Sequence, residues 1–116
     1  MKYIEVLIFL SSLITILFIV GCSGNSIQSI DSFASCLKEK GAKMYGADWC
    51  GHCNAQKEMF GSSFAEIDYT ECTVEMQKCD NEGIQGYPTW KFADGSSLAG
   101  IQKFVTLAGK TGCSLP

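Results

Sequence analysis

Arginine is absent from the 116-residue chain, and all nine basic residues are lysines. Twelve acids outweigh them, for a net charge of −3, and no basic run occurs. A phosphate-gathering surface is therefore not visible, and nucleic acid is excluded as an expected partner. Histidine occurs once, as His52. A four-ligand zinc site would have to be built mainly from cysteine. The chain is short enough that one small domain is all it can hold.

Cysteine, by contrast, is abundant: Cys22, Cys36, Cys50, Cys53, Cys72, Cys79 and Cys113, seven in all. So many in a small chain indicate an oxidising compartment or a metal. The odd number asks which one stands apart, and the N-terminus answers. Residues 6–20 read VLIFLSSLITILFIV. That run is short for a membrane span of about 20 residues and suits a signal h-region. No A-x-A cleavage signal follows it. Instead Ile19-Val20-Gly21-Cys22 resembles a bacterial-type lipobox. That resemblance implies lipid on Cys22, a mature chain beginning there and a membrane lipid anchor. The other reading is an uncleaved anchor helix. Either way residues 1–21 are expected to be a lipoprotein-type signal or an anchor. Residues 22–30 would be a polar tether, and residues 31–116 a domain outside the cytoplasm, against a membrane.

The domain reads as α/β. Ser29 or Asp31 can cap a helix to about Lys40, with Ile30, Phe33, Ala34 and Leu37 on its buried side. A strand is expected at 42–47 and a helix at 50–60, with Ala55, Met59 and Phe60 inward. A second strand is expected at 64–70, with Ile67 and Tyr69 facing the core. Thr73 would cap a helix to Glu82. A strand at 89–93, a turn at Asp94-Gly95 and a returning strand at 97–100 make a hairpin. A last helix at 101–108 would bury Ile101, Phe104, Val105 and Ala108. This order suits a central mixed sheet covered by helices on both faces.

The chemistry concentrates in WCGHC, residues 49–53. Zinc would need Cys72 and Cys79 as its second pair, and their spacing of seven is not that of a zinc motif. A purely structural bridge between Cys50 and Cys53 would close almost no loop. A redox dithiol explains more. Unpaired N–H groups and partial positive charge at a helix N-terminus favour thiolate on a cysteine placed there. Cys50, first on the helix and the more exposed, would attack. Cys53, one turn in, would resolve the mixed disulfide. Gly51 leaves room for an incoming backbone. A charge on His52 would favour the reduced form, and so a stronger oxidant. Trp49 can shield and shape the site, or simply pack as a core aromatic. Pro88 lacks an N–H and can be cis. If its loop folds beside Cys50, the Tyr87 backbone can hold an extended peptide. A plain turn is the alternative.

WCGHC, followed by GYPTW and DG, resembles the thioredoxin fold, with the CGHC pair typical of protein disulfide isomerases. KMYGADWCGHCNAQKEMF with CDNEGIQGYPTW is similar, more narrowly, to the thioredoxin-like domain associated with bacterial and plant homologues of vitamin K epoxide reductase. The resemblance spans about residues 33–108 and is specific at 44–60 and 79–92. It implies a thioredoxin-like fold with about four strands, Cys50 as nucleophile, Cys53 as resolver and Pro88 as a cis-proline. It also implies a membrane redox partner, such as a vitamin K epoxide reductase homologue, and no metal or organic cofactor. Three departures stand out. The buried aspartate that thioredoxins carry six residues before the first active cysteine is Met44 here. The usual proline five residues after the second cysteine is Glu58. Only a tether precedes the first helix, where thioredoxins have a strand.

Spacing leaves Cys72 and Cys79 open. Within one helix they would stand too far apart to bridge, but a turn after Cys72 could join them. The related domains carry cysteines at comparable places, which implies a local disulfide. A second, electron-relaying pair is the alternative. Cys36 and Cys113 then remain, and pairing them would staple the domain's ends. One of them could instead pair with another protein. The expected activity is thiol–disulfide exchange on protein thiols and disulfides. Oxidation or isomerisation is favoured over reduction, for instance in cytochrome c maturation. The rival from another class is an anchored binding module with an inert CxxC.

Overall fold

The computed structural model describes residues 3–5 and 28–116. The apolar run at 6–20 and Cys22 lie outside the described residues. Among the described residues no helix is long and apolar enough to cross a membrane.

The fold is thioredoxin-like. Helix α1 (Ile30–Glu39) leads into β1 (Lys43–Gly46) and α2 (Gly51–Phe60). A 3-10 helix (Gly61–Glu66), β2 (Asp68–Glu71) and the short α3 (Met76–Asn81) follow. Hairpin β3 (Thr89–Lys91) and β4 (Ser97–Ala99) precede α4 (Phe104–Thr111). The sheet order is β2-β1-β3-β4. β1 runs parallel to β2 and antiparallel to β3, and β3 is antiparallel to β4.

Alternation along β1 divides the protein into two layers. Met44 points toward α1, α2 and α4, where Phe33, Leu37, Phe60, Trp90 and Leu107 form the main core. Burying each of these large side chains contributes about 1.5–3 kcal/mol. Phe60 is the centre of the aromatic packing, with ring centroids 4.8 Å from Phe104 and 6.2 Å from Trp90. Tyr45 points the other way, onto the buried pair Cys72 and Cys79. Only α3, six residues long, lies among the elements contributing to that second cluster. Helical cover is therefore thinner there than the expected two full layers. Beside it lies a groove of about 300 Å³, lined by Lys43, Tyr45, Glu82 and Lys91 among others.

Several local expectations are corrected. Ser29, not Asp31, caps α1, its Oγ accepting from the Ser32 N–H at 3.1 Å. Asp31 instead accepts from the Ser63 hydroxyl. Ile30 is exposed at the helix start. The alternation at 64–66 is not a strand: Gly61 turns with φ +56, and the chain tightens into the 3-10 helix. Thr73 does not cap α3. Its hydroxyl donates to Glu71, and the helix begins only at Met76. The last helix starts three residues late, because the Gln102 N–H is drawn to Gln56 Oε1 at 2.7 Å. Its buried residue is Leu107, while Ile101 and Val105 are exposed.

Gln56 is the polar hub that ties α2 to β3 and to the segment before α4. It is fully buried. Its Oε1 also accepts from Trp90 Nε1 at 3.2 Å, and its Nε2 donates to the Gln102 carbonyl at 3.1 Å. Gln56→Ala strands the buried Trp90 donor and the part-buried Gln102 N–H and opens a cavity, so a loss of about 2–4 kcal/mol is expected in urea unfolding. A loss indistinguishable from that of an exposed α2 site such as Glu58→Ala would contradict this role.

Candidate functional site

β1 delivers the chain to the site. After Gly46 it runs through Ala47 and Asp48, and the Cys50 N–H donates to the Ala47 carbonyl at 3.1 Å. Cys50 is the N-cap of α2, with φ −80 and ψ 112. A cap residue normally offers a side-chain oxygen to the first free N–H groups. Here the Cys50 Sγ does so, accepting from the Cys53 N–H at 3.1 Å. The sulfur therefore sits where the helix presents its unpaired donors and partial positive charge.

Both cysteines are unpaired, and both are more buried than the sequence suggests: Cys50 is 6% exposed and Cys53 0%. Burial, followed by the adjacent Cys50 sulfur, pushes the Cys53 thiol up to about 11. Gly51 and His52 are exposed on the first turn of α2. Trp49 is 71% exposed and meets Tyr87 edge-on, with ring centroids 5.9 Å apart. The Tyr87-Pro88 bond is cis. Thr89 pairs with Tyr45, so Pro88 stands at the end of β1 that leads to Cys50. The Tyr87 N–H and C=O take no backbone partner among the described residues.

The remaining described cysteines are joined in pairs. Cys36 and Cys113 are linked at 2.06 Å across 77 residues, and Cys72 and Cys79 at 2.00 Å across seven. Cys72 lies just beyond β2 and Cys79 within α3, and the turn between them brings their Cα atoms to 5.8 Å. With these two joined, a zinc site at Cys50 and Cys53 has no second cysteine pair. Among the described residues no group of three or more His, Cys, Asp or Glu side chains is placed to hold a metal ion.

Behind the dithiol stand residues that sequence reasoning did not assign to the site. Gly46 faces Cys53 and Tyr69. Tyr69 Oη donates to Glu71 Oε2 at 2.7 Å. Glu71 Oε1 accepts from the Asp48 N–H at 3.1 Å, and so anchors the loop that carries Trp49 and Cys50. Lys57 Nζ lies 4.2 Å from the Tyr69 ring centroid. The order strand, helix, strand was the available signal. A parallel β1–β2 pair sets the end of β2 beside the loop after β1.

No family model matches the chain. Over 102 residues it is 43% identical to the thiol-disulfide oxidoreductase LTO1 of Arabidopsis thaliana, covering 80% of this chain and 27% of that protein. It is 32% identical over 74 residues to a protein disulfide-isomerase of Aspergillus niger, covering 56% of this chain and 14% of the relative. For the protein disulfide-isomerase erp38 of Neurospora crassa the identity is 33% over 60 residues, covering 44% of this chain and 16% of the relative. The chain thus spans about a quarter of the length of the plant relative, and less of the fungal ones. It is related to LTO1-type thiol-disulfide oxidoreductases through a thioredoxin-like domain.

Proposed function

We propose that this chain is a thiol–disulfide oxidoreductase that oxidises or isomerises protein disulfides through Cys50 and Cys53. The observation that carries the reading is the unpaired Cys50 sulfur at the N-cap of α2, accepting the Cys53 N–H. A thiolate is the attacking species in exchange, and this sulfur faces the unpaired donors of the helix start. In the oxidising direction a substrate thiolate attacks the Cys50–Cys53 disulfide at Cys50. A second substrate thiol then displaces Cys50, leaving substrate oxidised and the pair reduced. In isomerisation, Cys50 thiolate opens a substrate disulfide and is later released by another substrate thiolate. Cys53 provides the exit from a stalled mixed disulfide. The free Tyr87 peptide group can hold an extended substrate by strand-like hydrogen bonds, with Trp49 and Tyr87 as an apolar margin. Exposed His52 beside Cys50 would favour the reduced pair when charged.

Attachment belongs to the same proposal. The apolar run at 6–20 ending in Cys22 supports a lipid-anchored or membrane-anchored domain outside the cytoplasm, in the periplasm or on the outer face of the cytoplasmic membrane. The resemblance at 44–60 and 79–92 supports a membrane redox partner of the vitamin K epoxide reductase type, which would reset the pair.

The direction is tested by the reduction potential of Cys50–Cys53, with the chain equilibrated in glutathione buffers and its thiols counted by alkylation and mass spectrometry. A value between about −120 and about −180 mV is expected, the range of oxidants and isomerases. A value near about −270 mV, like that of thioredoxin, would overturn oxidation and make the chain a membrane-fed reductase.

A further inference from the structure

Cys53 poses a chemical problem that its own surroundings must solve. To resolve a mixed disulfide on Cys50 it has to attack as thiolate. Its sulfur is fully buried, and its proton is held more tightly than that of an ordinary thiol. At neutral pH only a small fraction of such thiols is ionised. A buried carboxylate on β1 could take the proton, but the apolar Met44 is buried there.

The β1–β2 register places Tyr69 across from Met44, and Glu71 across from Gly46. Gly46 has no Cβ. One added there would stand 3.0 Å from Cys53 Sγ and 3.0 Å from Tyr69 Oη. The thiol and the phenol therefore border the same small space, kept open by a glycine. Tyr69 Oη in turn donates to Glu71 Oε2 at 2.7 Å. The other carboxylate oxygen, Oε1, is fixed by three donors: the Asp48 N–H, the Thr73 N–H at 3.2 Å and Thr73 Oγ1 at 2.8 Å. Burial works against charge on Glu71, but these donors outweigh it and hold the carboxyl below its usual range. Burial, then the bond to Glu71, keeps Tyr69 protonated. A neutral hydroxyl bonded to an ionised carboxylate thus borders the same space as the buried thiol. The titratable groups facing this path are Cys50 and Lys57 from α2 and Tyr69 and Glu71 from β2. β1 and the loop after it contribute Gly46 and the backbone of Ala47 and Asp48. Lys57, over the Tyr69 ring, favours the Cys53 thiolate.

We propose that Tyr69 and Glu71 are the proton path of the resolving cysteine: Tyr69 Oη accepts the Cys53 thiol proton as it passes its own to Glu71 Oε2. The inference rests on the dithiol function proposed above. The Cys53 thiolate then attacks Cys50 Sγ. The Cys50–Cys53 bond forms, and the bond from Cys50 to the substrate sulfur breaks. The electron pair leaves on the substrate thiolate, which takes up the proton from Glu71 or from solvent. Glu71, acting through Tyr69, is a positioning and accepting residue.

The test uses the full chain in detergent, with Cys22→Ser so that only the CGHC thiols report. The aromatic disulfide dithiobis-nitrobenzoate releases one coloured thiolate when Cys50 attacks, and a second when Cys53 closes the ring. In the parent chain both are expected, the second at a rate that is flat across neutral pH. Tyr69→Phe keeps the ring and removes the hydroxyl. It should slow the second release by about a hundredfold relative to the first, and make its rate rise in proportion to hydroxide. Glu71→Gln should do the same. In the parent chain, heavy water should slow the second release with a curved dependence on deuterium content, because two protons move together. That measurement needs no substitution at Tyr69 or Glu71. An unchanged second phase and pH profile in Tyr69→Phe would overturn the path, as would a linear or absent isotope dependence. A parent chain that releases no second thiolate would overturn the dithiol function itself.

Discussion

Cys53→Ser is expected to halt oxidative turnover while leaving Cys50 able to attack, so that the chain accumulates as a mixed disulfide with its substrate. Cys50→Ser should form no such adduct. The asymmetry follows from placement. Cys50 caps the helix with its sulfur on the N–H groups, whereas Cys53 is sealed beneath it. A well-oriented intramolecular group acts at an effective molarity on the order of 10⁵ M or more, so millimolar external thiol leaves turnover at least about a thousandfold down. Incubation with a disulfide-bonded peptide, followed by non-reducing electrophoresis and mapping of the trapped bond, checks it. An adduct mapped to Cys53 in a Cys50→Ser chain would reverse the assignment. Adduct on neither variant would favour an inert binding module.

Removing the Cys36–Cys113 bond should cost the most stability. Its ends are 77 residues apart, and closing a loop of that length restricts the unfolded chain by about 4.5 kcal/mol in the entropy model. The Cys72–Cys79 ring, closed over seven residues, gives only about 2.4 kcal/mol by the same relation. Small domains have about 5–15 kcal/mol in total. The double variant Cys36→Ala with Cys113→Ala should therefore be close to unfolding at body temperature. Urea midpoints of the two double-alanine variants make the comparison. A larger loss from Cys72→Ala with Cys79→Ala would mean that packing against Tyr45, not loop closure, dominates.

The legible parts of the sequence were those where chemistry narrows the choice. WCGHC combines a pair spacing with a helix start, and few functions use both. Asp94-Gly95 marked its turn because Gly95 adopts φ +84, which glycine takes without strain. Phe33, Ala34 and Leu37 read correctly because a single α-helix sets their spacing. What escaped depends on distant partners. Gln56 looks like a surface residue on a helix until Trp90 and Gln102, 34 and 46 residues away, converge on it. Tyr69 was placed toward the core, but its sharing a space with Cys53 depends on β1–β2 register and on a missing Cβ at Gly46. The alternation at 64–66 mimicked a strand because period two says nothing about whether a neighbouring strand is available.

The two closed cysteine pairs differ in when they can first exist. Synthesis runs from the N-terminus, so the partners Cys72 and Cys79 emerge within a few residues of each other. Cys36 must wait for Cys113, after every strand has been delivered. During that interval Cys36 is an open thiol on a growing chain, in the company of Cys50 and Cys53. Under the proposed function, a newborn copy is thus a client of the chemistry that a finished copy performs, and the last bond to close is the one that joins the first helix to the segment after the last.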